Sequence, residues 1–390
     1  MSYSSTPRPV VSSVLLTFRL TFLILLFCHV TGKYSLVRGC YHPVNRGRWR
    51  YIRCLCLLVF VFFTMLFLLL ASCRLIPRDM YHVTDIEDAL FFDWMHGDYF
   101  RLRVEEEQQS VTVPSIIIIQ PSPDAPTSCT NDTYIVALVA SLPSEASSRH
   151  TVRVTWGQAA ITRTWPAAVI TAEVRLFFFL GKPRTDAELQ WIQKEAEDFQ
   201  DLVVMDFEDT YRNLTLKTLA GLNWISQHCS QASFVLKADQ DTFVHIPRLL
   251  TLLYTYQNVF RNALLGQVMY NPPVVTSGKW AITEDEYPFS TYASFASGPC
   301  YLLDNTVVPD LLVASRYMPY IPFEDVFMGC LAKTIGLSRL RVEPFLIDQF
   351  HNKSFCSFTH DRDSHIALTC LSSRQMVGVW EVLGQDRQLC

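Results

Sequence analysis

Two short acidic clusters are the residues in this chain best suited to chemistry. Asp239-Gln240-Asp241 closes a hydrophobic segment that opens at Ser233. Extended residues i and i+2 point to the same side, so both carboxylates would face one way. Such a pair can hold a divalent cation, directly or through water, and the cation can hold a diphosphate. An all-oxygen ligand set suits Mg²⁺ or Mn²⁺. The competing reading is a solvated turn, because Asp-x-Asp also arises by chance. The second cluster, Glu324-Asp325, follows Pro319-Tyr-Ile-Pro-Phe and precedes Val326-Phe-Met-Gly. Carboxylates in that place are either first-turn acids favoured by the helix dipole or a general base for an acceptor hydroxyl.

The surrounding pattern indicates what positions these groups. From Tyr134 onward, short apolar runs alternate with helix-like segments. Strands are expected at Tyr134–Ala140, Val174–Leu180, Leu202–Met205 and Ser233–Leu236. Helices are expected at Ala146–Trp156, Asp186–Phe199 and Leu214–His228. This rhythm predicts an α/β domain with a largely parallel sheet. Ligands of such sheets sit at the carboxyl ends of the strands, and Asp239 and Asp241 fall at one of those ends.

The N-terminal part is different in kind. Residues 1–53 hold eight Lys/Arg and no Asp or Glu, so the net charge of −4 leaves −12 on the rest. Cys54–Cys73 is an uncharged run of 20 residues rich in Leu, Phe and Val. At about 1.5 Å rise per residue it matches a ~30 Å hydrocarbon core. Arg46, Arg48, Arg50 and Arg53 stand just before it, which predicts a cytosolic N-terminus and a luminal or external remainder. An earlier apolar stretch, Val14–Val30, carries Arg19 and reads as a second span, an interfacial helix or part of the tail. The expected organisation is a basic tail (1–53), a signal-anchor helix (54–73), a stem (74–128) and a globular domain (129–390). The stem carries Glu105–Glu107 and several prolines, which suit an extended linker. Its Ile116–Ile119 run suggests that part of it packs on something. Abundant aromatics and an 18% charged fraction exclude a mainly disordered chain. Nucleic-acid binding is not expected, since the basic arm is cytosolic and the large domain acidic.

Beyond the anchor, Asn131, Asn213 and Asn352 each open an Asn-x-Ser/Thr triplet, as candidate glycan sites. Seven cysteines share that oxidising space (129, 229, 300, 330, 356, 370 and 390). Disulfides are expected among them, with at least one thiol left over.

Several spaced motifs match one family. They are Arg149-His-Thr-Val-Arg153-Val-Thr155-Trp156, Phe178-Phe-Leu-Gly181, Asp201 through Thr218, Lys237-Ala-Asp239-Gln-Asp241, Tyr287-Pro, Ser297-Gly298-Pro-Cys-Tyr301 and Glu324-Asp325-Val326-Phe-Met-Gly329. In this order the chain resembles the β-1,3-glycosyltransferases of the β-1,3-galactosyltransferase type, over roughly residues 130–390. The resemblance implies a single-pass type II Golgi membrane enzyme with a GT-A fold. It implies inverting transfer of galactose or N-acetylglucosamine from a UDP-sugar to a 3-hydroxyl of a glycan acceptor on protein or lipid, with Mn²⁺. By motif, Asp239 and Asp241 would serve nucleotide and metal, and Asp325 would be the base. Arg149, Arg153 and Trp156 would lie near the donor end of the first strand, or would build the helix behind it. Lys217 would reach a diphosphate or pair with Asp209.

Two departures stand out. Ala296 occupies the place of a cysteine that often precedes the Ser-Gly, with Cys300 nearby. Thr369 occupies the place of a histidine that helps hold the metal in many members. His351, His360 and His365 are the candidates to substitute. The alternative function is therefore a catalytically silent Golgi-resident binding protein or partner subunit on the same fold.

Overall fold

The computed structural model describes residues 113–383, except 120, 123, 167, 343–347, 350–357 and 359–364. The expected tail, the span Cys54–Cys73, the stretch Val14–Val30, most of the stem, and Asn352, His351 and His360 lie outside the described residues. Among those described, strands β1 (Ile116–Ile119), β2 (Thr133–Ala140), β5 (Glu173–Leu180), β6 (Leu202–Met205), β7 (Phe234–Asp239), β9 (Ala263–Met269), β10 (Phe295–Asp304) and β11 (Ser338–Arg341) build one eight-stranded sheet. Its order is β1-β6-β5-β2-β7-β10-β9-β11. The short strands β3 (Thr164–Trp165) and β4 (Ala168–Val169) form a ribbon of their own. A third sheet joins β8 (Phe243–Val244), β12 (Asp348–Gln349) and β13 (Ala367–Thr369).

The expectation of a largely parallel sheet needs correction. β6, β5, β2 and β7 run parallel, as do β9 and β11. β10 is antiparallel to both β7 and β9, and β1 is antiparallel to β6. The sheet is therefore mixed, and its direction reverses at β7, the strand that carries Asp239. The Ile116–Ile119 run of the predicted stem is thus an edge strand of the sheet.

The four central parallel strands read as unbroken apolar runs because both of their faces are covered. Alternate residues divide between two cores. Val136, Leu138, Phe177, Phe179, Val203 and Val235 pack with helices α4 (Leu214–His228), α6 (Val308–Ser315) and α7 (Glu324–Thr334). Ile135, Ala137, Val139, Phe178, Val204 and Leu236 pack on the other side. There they meet α1 (Ala146–Val154), α2 (Gln158–Ile161), α3 (Asp186–Phe199), α5 (Ile246–Tyr256) and α8 (Ser373–Leu383). The result is a helix–sheet–helix sandwich. Cys129 is disulfide-bonded to Cys229 at the end of α4, while Cys300, Cys330 and Cys370 are free.

One close contact fixes the position of α7. A Cβ added to Gly329 would lie 2.5 Å from Phe295 Cβ and 2.8 Å from the Ser294 carbonyl oxygen. Only a residue without a side chain lets the helix lie this near β10, and its first turn is thereby held against the start of that strand.

On the opposite face, α1 is clamped to α3 and β6. Arg149 Nε and Nη2 donate to Glu195 at 2.9 and 2.6 Å, and Nη1 donates to the Leu142 carbonyl at 2.5 Å. Arg153 is bidentate on Asp201 at 2.8 and 2.7 Å and pairs with Glu195 at 2.8 Å. Its guanidinium also lies 4.0 Å above the Phe199 ring. Removing one partner of a buried pair leaves the other charge uncompensated, at about 3–5 kcal/mol. Arg153→Met is therefore expected to lower unfolding stability by that amount while UDP affinity of the folded fraction is kept. Urea unfolding and calorimetric UDP titration of the purified chain would check this; normal stability with UDP binding lost would instead place Arg153 on the nucleotide.

Candidate active site

The carboxyl ends of β2, β5 and β7 meet at one edge of the sheet, and the residues there are stitched together. Ala140 of β2 pairs with Asp239 of β7. Gln240 Oε1 accepts from Ser141 Oγ at 2.6 Å, which ties the middle of the Asp-x-Asp turn to the end of β2. Arg149 Nη1 donates to the same Ser141 Oγ at 3.1 Å. Lys217, buried on α4, donates to the Ser141 carbonyl at 2.5 Å and pairs with Asp209 at 2.8 Å. Asp209 Oδ2 also accepts from the Gly181 amide at 2.8 Å, just past β5. Of the two readings of Lys217, the structure shows the Asp209 pair. Burial depresses the pKa of this amine, and Asp209 opposes that shift.

The two acidic clusters, 83 positions apart in sequence, are joined through one ammonium. Lys237 Nζ lies 2.6 Å from Asp239 Oδ1, 2.6 Å from the Gly298 carbonyl and 3.7 Å from Glu324 Oε2. The Gly298 amide donates to Asp325 Oδ2 at 3.2 Å, and the Val326 amide donates to Asp325 Oδ1 at 2.9 Å. Glu324 Oε1 accepts from the Tyr301 hydroxyl at 2.5 Å. The reversal of direction at β10 makes this possible: the start of β10 runs beside the end of β7, with Cys300 opposite Ala238. Gly298 thus arrives next to Asp239 while α7 brings Asp325 to Gly298.

The electrostatics follow from burial. Desolvation works against the Lys237 charge, but Asp239 and Glu324 outweigh it and its pKa is raised. Burial pushes Glu324 up to about 7, with Lys237 opposing and Asp325 reinforcing the shift. Asp325 is also raised, chiefly by burial, against the pull of the Val326 amide and Lys237. Asp241 is raised by burial and by the charge of Asp239.

Two partly buried carboxylates that repel each other suit a hard divalent cation. Such an ion needs only one or two protein carboxylates when substrate phosphates complete its shell. Asp239 and Asp241 fit that requirement. Among the described residues there is no group of three or more His, Cys, Asp or Glu that could hold a metal. Thr369 is buried on β13, and its hydroxyl accepts from Thr242 Oγ1 at 3.1 Å, one residue from Asp241. His365 lies at the start of that segment, with its carbonyl held by Arg248 at 3.0 Å. Cys300, near the cysteine position that Ala296 fills, is a buried free thiol on β10.

Arg149, Arg153 and Trp156 lie behind the site. Both guanidiniums are engaged by Glu195 and Asp201, and Trp156 is enclosed in the core. Asn131 is exposed, and Asn213 donates its side-chain amide to the Glu208 carbonyl at 2.9 Å. Sequence reasoning assigned no role to Lys237, Tyr301, Lys279 or Trp280. Lys237 had a legible signal: it stands two residues before Asp239 and therefore shares its face. Trp280 and Tyr211, both about half exposed, are bonded Nε1 to Oη at 3.0 Å. Lys279 Nζ stands 4.8 Å from the Tyr211 ring. Lys279 and Trp280 come from the loop between β9 and β10, and no local pattern reveals that it brings Lys279 near Asp241.

Comparison with known proteins identifies the family. The family described as Galactosyltransferase matches residues 147–343. Beta-1,3-galactosyltransferase 5 of Homo sapiens is 31% identical over 258 residues, covering 65% of this chain and 79% of that protein. The Mus musculus protein of the same name is 30% identical over 268 residues, covering 65% and 80%. Beta-1,3-galactosyltransferase 1 of Mus musculus is 30% identical over 262 residues, covering 66% and 76%. The chain belongs to the galactosyltransferase family, and it is a UDP-sugar-dependent glycosyltransferase.

Proposed function

We propose that the chain is an inverting β-1,3-glycosyltransferase that moves a hexose from a UDP-sugar to a 3-hydroxyl of a glycan acceptor on protein or lipid. Galactose is the favoured hexose, by the names of its relatives, with N-acetylglucosamine next. One observation carries the reading: Lys237 and Gly298 bind the Asp-x-Asp turn and Asp325 into a single cluster. An inverting displacement needs those two elements together, a place for the diphosphate and a base for the attacking hydroxyl.

In this reading Asp325 takes the proton of the acceptor 3-hydroxyl. The hydroxyl oxygen bonds to the sugar C1 from the face opposite the diphosphate, and the C1–O bond to UDP breaks with its electron pair on UDP. Burial makes Asp325 a better base than an exposed carboxylate. The amides of Gly298 and Val326 fix its two oxygens. Asp239 and Asp241 would hold Mn²⁺, which when bound supplies charge neutralisation for the leaving diphosphate. Arg149, Arg153 and Trp156 support the strand end that the donor meets, and Lys217 fixes the Ser141 backbone there. Asn131, Asn213 and Asn352 are read as glycan sites.

The placement proposed is the Golgi membrane, single-pass type II, with this domain luminal. It is supported by the basic tail, the uncharged run Cys54–Cys73 and a disulfide between Cys129 and Cys229.

Asp325→Asn is expected to lower kcat by about 10²–10⁴-fold, the range of a general base, with UDP-sugar affinity within twofold of wild type. Transfer assays with UDP-galactose and UDP-N-acetylglucosamine, beside calorimetric donor binding, would decide it; full transfer by this variant removes Asp325 as the base. Asp241→Asn is expected to weaken Mn²⁺ binding, read by the loss of free Mn²⁺ signal in electron paramagnetic resonance. An unchanged Mn²⁺ titration would remove Asp241 from the metal site. UDP-sugar binding without turnover on a broad acceptor panel would favour the silent-subunit reading.

A further inference from the structure

Glu324 is a buried acid to which the transfer scheme gives no task. It is 3% exposed, so it does not reach a bound sugar. Its Oε1 is held by the Tyr301 hydroxyl. Its Oε2 is sealed from solvent without a hydrogen-bond partner and faces the Lys237 ammonium at 3.7 Å. The charged and titratable groups around it are Lys237 and Asp239 of β7, Tyr301 of β10, and Asp325 beside it on α7.

We propose that Glu324 is a positioning residue for transfer: as a buried anion it holds the Lys237 ammonium at the junction of Asp239 and Gly298 and so sets the alignment and basicity of Asp325. The proposal rests on the reading of Asp325 as the base.

The physical chain is short. Lys237 donates to two acceptors, Asp239 and the Gly298 carbonyl, and faces the Glu324 carboxylate on its α7 side. Without that anion, the ammonium is drawn toward Asp239 alone, and its hold on the Gly298 carbonyl loosens. Gly298 is also the residue whose amide fixes Asp325. A negative neighbour additionally raises the proton affinity of Asp325, since like charges disfavour each other's ionisation. Glu324 loses its own proton near pH 7, because burial pushes it up to about 7. Below that point the pocket lacks the anion; above it the anion is present. Catalysis should therefore gain a rising step near neutrality. The two acids titrate as a coupled pair, and the step reports the pair's upper proton.

The test uses the full chain purified in detergent. Glu324→Gln keeps the volume and an acceptor for Tyr301 but never carries charge. At pH 8 it should lose about tenfold in kcat, a fraction of the ~10²–10⁴-fold contribution of a general base. The rising step near pH 7 should vanish, with donor KM and UDP affinity within twofold of wild type. Tyr301→Phe removes a hydrogen bond that favours the ionised acid, so it should move the step to higher pH. In the double variant, Tyr301→Phe should move nothing further.

Stability gives an independent reading. The folded-state pKa of Glu324 lies above its unfolded value. Its contribution to stability is thus full at low pH and is lost as pH rises through about 7. Glu324→Gln should melt at or above the wild-type temperature at pH 8. A wild-type kcat and pH profile in Glu324→Gln would overturn the proposal. So would a variant that loses UDP affinity and melts lower at pH 8, since Glu324 would then be structural. Retained transfer by Asp325→Asn separates failure of the base assignment from failure of this one.

Discussion

A buried ammonium organises this site. Lys237 is 1% exposed, and an amine removed from water stays charged only when anions and carbonyls replace its hydration. Here the replacements come from three elements: Asp239 from its own strand, the Gly298 carbonyl from β10 and Glu324 from the first turn of α7. If Asp239 or the Gly298 carbonyl retreated, the ammonium would lose one of its two hydrogen bonds in the core. The requirement to satisfy one amine therefore fixes a strand end, the start of a neighbouring strand and a helix N-terminus relative to one another. Those are the three pieces that a transfer site at a sheet edge has to assemble.

The topology supplies the opportunity. Parallel strands all deliver their carboxyl ends to one edge, so β2, β5 and β7 bring Ser141, Gly181 and Asp239 together. A further parallel strand would have continued that pattern and presented its own end. An antiparallel β10 instead presents its beginning there, with backbone amide and carbonyl of Gly298 available to side chains. The pairing of β10 with β9 is irregular between Ala296 and Tyr301, which includes Gly298. Gly329 then lets α7 lie against β10 closely enough for Asp325 to reach that amide. The switch in strand direction and the close helix packing are parts of one arrangement.

Much of this was legible in the sequence, and the rest was not for identifiable reasons. The spans Asp186–Phe199, Leu202–Met205 and Leu214–His228 agree with the observed elements, because their periodicity and boundaries are local. The strand into Asp239 was legible for the same reason, although it extends further than Leu236. The direction of β10 was not, since an apolar run carries no sign of which neighbour it pairs with or in which sense. The Ile116–Ile119 run has strand character, but its partner β6 is more than 80 residues away. The guanidiniums of Arg149 and Arg153 were ambiguous between donor and scaffold. Their partners, Glu195 and Asp201, lie on elements that only the tertiary fold brings near. Glu324 looked like a dipole-stabilised first-turn acid; burial beneath Tyr301 and Lys237 gives it a different character.

The charge balance at the sheet edge bears on how an anionic donor can enter. The cationic side chains behind the strand ends are already committed: Arg149 and Arg153 to Glu195 and Asp201, and Lys217 to Asp209. What remains toward the site is Asp239, Asp241, Glu324 and Asp325, with Lys237 held among them and Lys279 close enough to act on Asp241. Fully ionised, four carboxylates against two ammoniums leave an excess of negative charge where a diphosphate has to bind. Protonation of Glu324 near neutrality removes only one of those charges, and it is the one most deeply buried. A divalent cation between Asp239 and Asp241 would cancel that excess and give the diphosphate a counter-charge that no free side chain behind the strands provides. In the proposed reading the other half of the reaction falls to Asp325. Its burial makes it hold a proton more tightly than an exposed carboxylate would. The cation proposed for the donor and the base proposed for the acceptor would then stand on either side of the Lys237 ammonium.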